Sequence, residues 1–280
     1  MVKQNHSKLN FLEKALPEGL LVDAAWLRHH GFSTSLLTQY VQAGKLARPA
    51  PRVYRRPRGS LKWQQVVISL QMLLNRPLTV GGRTALELQG FSHYLSNALR
   101  EVHLYGPNKP PTWLPHLQLE TRFLYHNEQK LFRRPLEPED LSMRSQLSGD
   151  DDRKSDWLTN NLTLQHWGEW DWPIVLSTPE RAILELLDEL PKHETFEQVD
   201  KLMGSLSSLS PRRLEKLLAD CKNVKVKRLF FFFADRHKHA WNKYLDQERF
   251  DLGKGKRMLV KGGRYDPRYG ITVPEEFSAG

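Results

Sequence analysis

The chain has 280 residues, 39% of them hydrophobic and 10% aromatic, a composition that supports a packed core and excludes wholesale disorder. Its one cysteine, Cys221, excludes an internal disulfide and fits a reducing compartment, so the expected location is the cytoplasm. Lys and Arg number 42 against 32 Asp and Glu, a net charge of +10, and the longest apolar runs, 66–68 and 229–234, fall far short of the ~20 residues of a membrane span.

The positive charge is not spread evenly. Residues 1–60 carry ten basic and three acidic residues, 61–221 carry 18 and 22, and 222–280 carry 14 and seven. Two basic ends thus flank a mildly acidic middle. Positive charge concentrated on a small module is the footprint of a polyanion binder; a solubilising surface is the competing use. Met1–Leu12 has no apolar core of the kind a secretory signal needs.

In chain order, Lys8–Leu16 predicts a short amphipathic helix stopped by Pro17-Glu18-Gly19. Leu20–His30 predicts a second, with Leu21 or Val22, Ala25 and Trp26 at helical spacing, ended by Gly31. Ser33 is a suitable cap for a third, Thr34–Ala43, closed by Gly44. Two helices joined by a three-residue turn containing glycine have the helix-turn-helix spacing.

The third helix divides cleanly. Leu36, Leu37, Tyr40 and Val41 form an apolar face, while Ser35, Thr38, Gln39 and Gln42 form a polar face without a single charge. Ordinary surface helices carry Glu and Lys outside. Uncharged amides and hydroxyls are the groups that hydrogen-bond base edges. Next, Lys45–Arg48 predicts a strand, Pro49-Ala50-Pro51 a turn, and Arg52–Arg56 the return strand, with Arg48, Arg52, Arg55 and Arg56 projecting. A basic hairpin behind such a helix is a wing, its arginines on phosphates. Winged modules also bind proteins, a use that this arginine density disfavours.

The resulting expectation is an α+β chain: a winged helix-turn-helix DNA-binding domain at 1–60 and a larger mixed α/β domain at 61–280. The candidate DNA-binding residues are Ser33, Ser35, Thr38, Gln39, Gln42, Lys45, Arg48, Arg52, Arg55 and Arg56. In the larger region, helices are expected at 63–74, 83–89, 179–190, 196–206, 211–221 and 229–244, and strands at 102–105, 121–125, 161–164 and 173–176. Ser177-Thr178-Pro179-Glu180 has the cap, proline and acid of a helix start. The Phe230–Phe233 run covers most of its helix and is expected to be buried, in the core or against a partner.

Asp150-Asp151-Asp152 lies in a Ser/Gly-containing loop and is read as solvated, since a metal site needs ligands converging from several elements. His237 and His239, two apart on a predicted helix, point away from each other. There is no P-loop, GxGxxG, HExxH, GxSxG or kinase signature, and Gly204-Ser205 lacks the acid pair of a nucleotidyltransferase. The expectation is therefore no enzyme, no cofactor and no metal. The basic segment from Lys254 to Arg268 has three competing uses: a second phosphate-contacting surface, a dock for an acidic partner, or a solvated face.

Residues 31–33, 44–48 and 52–54 together resemble the start of AbiEi-type antitoxins of type IV toxin–antitoxin systems. The resemblance continues through Val80-Gly81-Gly82-Arg83-Thr84-Ala85-Leu86-Glu87-Leu88-Gln89-Gly90 with His93-Tyr94-Leu95, then Ser177–Glu185, and the end from Gly255 to Pro274. It spans roughly residues 8 to 275, each motif loose by itself, their order specific. What it implies is repression of the chain's own operon by binding double-stranded promoter DNA, and neutralisation of a nucleotidyltransferase-like toxin, in phage defence. A stand-alone winged-helix transcription factor, or a DNA-processing enzyme with an unrecognised active site, is the alternative.

Overall fold

The computed structural model describes residues 2–91, 99–137 and 161–277. The Asp150–Asp152 run and His93-Tyr94-Leu95 lie outside the described residues. The architecture is mixed α/β.

The first part runs α1 (Val2–Ala15), β1 (Leu21–Asp23), α2 (Ala24–His29), α3 (Thr34–Gln42), β2 (Ala47–Ala50) and β3 (Val53–Arg55). The three strands form an antiparallel sheet in the order β1-β3-β2. Here the sequence-based expectation needs correction. Leu21-Val22-Asp23 is a strand and not the first turn of a helix, because its backbone pairs with Arg55-Tyr54-Val53. The helix starts one step later, capped by Asp23, whose carboxylate accepts from the Trp26 amide at 2.8 Å.

The hairpin is also shifted. Pro49 sits inside β2 and the turn is Pro51-Arg52. Proline is tolerated there because β2 is an edge strand and its register slips between Ala47 and Ala50.

The larger part contains α4 (Trp63–Ile68), which widens into a turn at Ser69–Leu73, then β4 (Thr79–Val80), α5 (Gly82–Leu88), β5 (Glu101–Gly106) and β6 (Arg122–Asn127). It continues with β7 (Leu162–Trp167), β8 (Trp172–Ser177), α6 (Pro179–Asp188), α7 (Phe196–Ser205), α8 (Pro211–Asp220), α9 (Val224–His237), β9 (Arg264–Asp266) and β10 (Ile271–Val273). A five-stranded sheet has the order β6-β5-β4-β8-β7. Its pairs β5/β6 and β4/β8 are parallel, β4/β5 and β7/β8 antiparallel.

Helix α6 is the hub: α5, α7, α8 and α9 all pack against it, and every residue from Glu180 to Leu187 is buried. Its start lies where the sequence places it, with Thr178 at the cap and Pro179 next, but the Thr178 hydroxyl makes no capping bond. Charges on so buried a helix require partners. Arg181 donates to Glu185 at 2.8 Å and to Glu128 at 2.5 Å. Burial opposes the Arg181 charge, but the two carboxylates outweigh it and raise its pKa. Glu185 also accepts from the Ser177 hydroxyl at 3.0 Å and the Gly82 amide at 2.9 Å. That explains Gly81-Gly82: a Cβ on Gly81 would lie 2.2 Å from a Glu185 oxygen, and Gly82 takes a φ of +52°.

Helix α9 starts earlier and ends earlier than expected. Asn223 caps it through the amides of Lys225 and Val226, and Lys238 terminates it in the left-handed region. Phe230, Phe231, Phe232 and Phe233 are all buried in the core. Because the helix stops at His237, the rings of His237 and His239 do not diverge but stack, centroids 5.8 Å apart. Each uses a ring nitrogen inside the protein, His237 on Asp200 and His239 on the Met203 carbonyl, both at 2.8 Å. The segment Lys256–Val260 forms no strand: only Arg257 bridges to Ile271, and the paired strands are β9 and β10. The four carbonyls of Leu252, Gly253, Gly255 and Gly270 converge on the buried Arg228 guanidinium, which fixes this glycine-rich region.

Among the described residues, no helix is long and apolar enough to cross a membrane.

Candidate nucleic-acid interface

Helix α3 is fixed from both ends. Ser33 is extended and its hydroxyl accepts from the Leu36 amide at 3.3 Å, while Gly44, at φ +67°, turns the chain back so that the Lys45 amide reaches the Tyr40 carbonyl at 2.9 Å. Leu36, Leu37 and Tyr40 are buried, and burial raises the Tyr40 pKa. Side chains of this size contribute roughly 1.5–3 kcal/mol each when fully buried, so the helix has one stable orientation.

That orientation leaves Ser33, Ser35, Thr38, Gln39 and Gln42 exposed. The Ser33 and Ser35 hydroxyls lie 3.1 Å apart, and Thr38 donates to the Thr34 carbonyl at 3.0 Å, leaving its oxygen lone pairs open. Gln39 and Gln42 make no side-chain hydrogen bond among the described residues, so both amides are open. The exposed strip is uncharged along the whole helix.

The five cations behind α3 divide into two groups. Lys45, Arg48 and Arg52 are exposed and form no ion pair or side-chain hydrogen bond among the described residues. Arg52 occupies the turn, at φ +64°, and its carbonyl accepts from the Ala24 amide at 2.8 Å. The hairpin tip therefore ends beside the start of α2, one residue beyond the Asp23/Val53 pair.

Arg55 and Arg56 do not project as the sequence led us to expect. Arg55 is only 5% exposed, and its guanidinium donates to the Arg58 and Gly59 carbonyls at 2.6 and 2.9 Å. Burial lowers its pKa. Arg56 reaches back to the Glu13 and Leu16 carbonyls and pairs with Glu18 at 3.0 Å. The physical reason is the pairing of β3 with β1, which makes β3 the central strand of the small sheet and turns its C-terminal arginines toward α1 and the following loop. Arg58 is engaged too, with Glu169 at 2.6 Å and over the Trp170 ring.

Two cations outside the candidate set are open as well, Lys14 in the last turn of α1 and Arg28. Arg28, in the last turn of α2, is exposed and free of ion pairs and side-chain hydrogen bonds among the described residues. Its signal was weak because it stands alone, outside the arginine cluster. Among the described residues there is no group of three or more His, Cys, Asp or Glu side chains able to hold a metal ion.

Two family profiles match the chain in succession. One, described as the N-terminal domain of a transcriptional regulator, AbiEi antitoxin, covers residues 5–97. The other, described as transcriptional regulator, AbiEi antitoxin, type IV TA system, covers residues 100–274. Among solved structures, the crystal structure of the RV2827C protein from Mycobacterium tuberculosis is similar in fold, with 15% identity and a TM-score of 0.50 over 94% of this chain and 88% of that one. No curated protein matches significantly.

Proposed function

The chain belongs to the AbiEi family of transcriptional-regulator antitoxins of type IV toxin–antitoxin systems, and on that premise we propose that it binds double-stranded promoter DNA and represses its own operon. The first part, about residues 1–60, reads as a winged helix-turn-helix domain, since its element order α1-β1-α2-α3-β2-β3 and strand order β1-β3-β2 are those of a winged helix. Helix α3 enters the major groove. Ser33, Ser35, Thr38, Gln39 and Gln42 meet base edges, and Lys45, Arg48 and Arg52 hold phosphates. Arg55 and Arg56 leave the interface and serve to brace it.

The single observation that carries this reading is the uncharged, hydrogen-bond-capable strip on α3 lying next to three unpaired cations. The test is fluorescence anisotropy with the duplex upstream of the chain's own gene, against a scrambled duplex of equal length, at several salt concentrations. Tighter binding to the upstream duplex, weakening steeply with salt, is the expected result. Equal affinity for both, or no salt dependence, removes the proposal.

The larger region, 61–280, neutralises the toxin half of the system, a nucleotidyltransferase-like protein, in the cytoplasm. Its support is the profile match across residues 100–274. Co-expression of the full chain with the product of the neighbouring gene should restore growth, and continued arrest despite soluble protein counts against it.

A further inference from the structure

A cavity of about 770 Å³ in the larger region takes no part in the DNA reading. It lies at the carboxyl ends of the parallel strands β5 and β6, bounded by the chain from Leu124 to Leu131 and by Asp188–His193, which follows α6. Crevices beyond the carboxyl ends of parallel strands are where α/β sheets commonly bind ligands, and this volume suits a small molecule.

The polar groups around the cavity are unequal. Its carboxylates are engaged inside the protein. Glu128 accepts from the Leu136 amide and Arg181, Asp188 from Asn223 at 2.7 Å and Lys225 at 3.3 Å, and Glu189 from His126 at 2.8 Å. Lys130, Lys192 and His193 line the same cavity, are exposed, and form no side-chain hydrogen bond or ion pair among the described residues. The open groups are therefore two lysine ammonium groups and an imidazole, all able to donate hydrogen bonds, and they call for an anion.

The wall beside them is flat. The His126 ring is stacked on Tyr105 at 4.5 Å and nearly parallel to the His103 ring, and both its nitrogens are occupied, Nδ1 by Glu189 and Nε2 by His103 at 3.0 Å. A ring held at both nitrogens has no donor left for a ligand but is a rigid stacking surface. We propose that this cavity binds a nucleoside phosphate, with its phosphates at Lys130, Lys192 and His193 and its base against His126. Met258 and Leu259, from the basic C-terminal segment, line the same cavity, so an occupied site would also tie that segment to α6.

The test is calorimetric titration of the full chain at low salt with ATP, AMP, inorganic triphosphate and inorganic phosphate. ATP should bind best, with AMP and triphosphate each weaker, since one lacks phosphates and the other the base. The double substitution Lys130→Ala/Lys192→Ala should weaken ATP binding at least about tenfold, by removing two charge-assisted contacts, with the unfolding midpoint unchanged. The substitution Lys45→Ala/Arg48→Ala/Arg52→Ala should leave ATP binding as it was, which separates this site from the DNA surface. The proposal is overturned by no heat at millimolar ATP, by triphosphate binding as tightly as ATP, by indifference to Lys130→Ala/Lys192→Ala, or by loss of binding with the DNA-surface variant.

Discussion

Arg52 and Arg55 stand three residues apart in the same hairpin, and their replacement should fail in different assays. The Arg55 guanidinium makes two hydrogen bonds to carbonyls at 2.6 and 2.9 Å from a nearly buried position. Hydrogen bonds from a charged donor are worth about 1.5–3 kcal/mol each, but water can reach the Arg58 and Gly59 loop, so a loss of about 2–3 kcal/mol is expected for Arg55→Ala. In a chain of this size that lowers the thermal midpoint by about 3–5 °C. Lys45, Arg48 and Arg52 have no such bonds to lose, and the triple alanine variant should unfold with the wild type. Instead, three phosphate contacts at about 0.9 each should reduce the slope of log affinity against log salt by about 2.7, so the gap from wild type narrows about 40-fold over a fourfold rise in salt. Differential scanning fluorimetry and salt-titrated anisotropy measure the two effects separately. If the triple variant keeps the wild-type slope, or Arg55→Ala flattens the slope without lowering the midpoint, the division of the arginines into contacts and braces is wrong.

Gln39→Ala with Gln42→Ala should weaken binding to the upstream duplex by about 1–3 kcal/mol for each glutamine that pairs with a base through two hydrogen bonds, with affinity for scrambled DNA unchanged in the same anisotropy assay. His103 is buried beside His126, which pulls its pKa down to about 4. Between pH 6.5 and about 4 the unfolded chain takes up a proton there that the folded chain does not, so stability should fall with pH across that window by up to about 3 kcal/mol. Urea titrations of wild type and His103→Gln from pH 7.5 to 5 check this, and an equal decline in both would refute it. Arg181→Met leaves Glu128 and Glu185 buried without their shared cation and should cost about 3–5 kcal/mol near neutral pH. That deficit should shrink in acid as the Glu128 carboxyl, whose pKa burial raises, takes up a proton, which urea midpoints at pH 7.5 and 5 would reveal.

What was legible in the sequence was what local chemistry decides. Ser33, the uncharged strip and Gly44 specify α3 within a dozen residues, and the helix lies within one residue of its expected bounds. Leu21-Val22 was misread because two apolar residues followed by alanine suit a helical period and a strand equally over so short a span. Only pairing with β3, about thirty residues later, decides. The four arginines from Arg52 to Arg58 look alike in sequence, yet their fates depend on Glu18, Glu169 and two loop carbonyls, none predictable from spacing. Strand β4 was invisible because it has only two residues. The Glu189–His126–His103 chain joins three elements and left no local signature.

The pairing of Arg55, Arg56 and Arg58 has a quantitative consequence. Counted along the sequence, residues 1–60 offer a charge of +7 to DNA. Counted on the folded surface, the open cations that follow α3 are Lys45, Arg48 and Arg52, with Arg28 exposed in the last turn of α2. Three or four contacts predict a salt slope of only about 3–4 for one copy of the chain, whereas proteins that make six to ten phosphate contacts lose about 10³–10⁵ in affinity between 50 and 200 mM salt. A strong repressor therefore needs either two copies on a repeated site, doubling the slope to about 6, or help from the exposed cations between Lys254 and Lys261. The two are distinguishable. A second copy doubles the stoichiometry and leaves the slope per copy near 3–4, while the C-terminal segment raises the slope at one copy per duplex and loses the increment in Lys254→Ala/Lys256→Ala. A single copy with a slope near 6 that survives those substitutions would mean that the cations paired in the free protein let go of their carboxylates on DNA, and counting only the open cations beside α3 would then understate the surface that meets the phosphates.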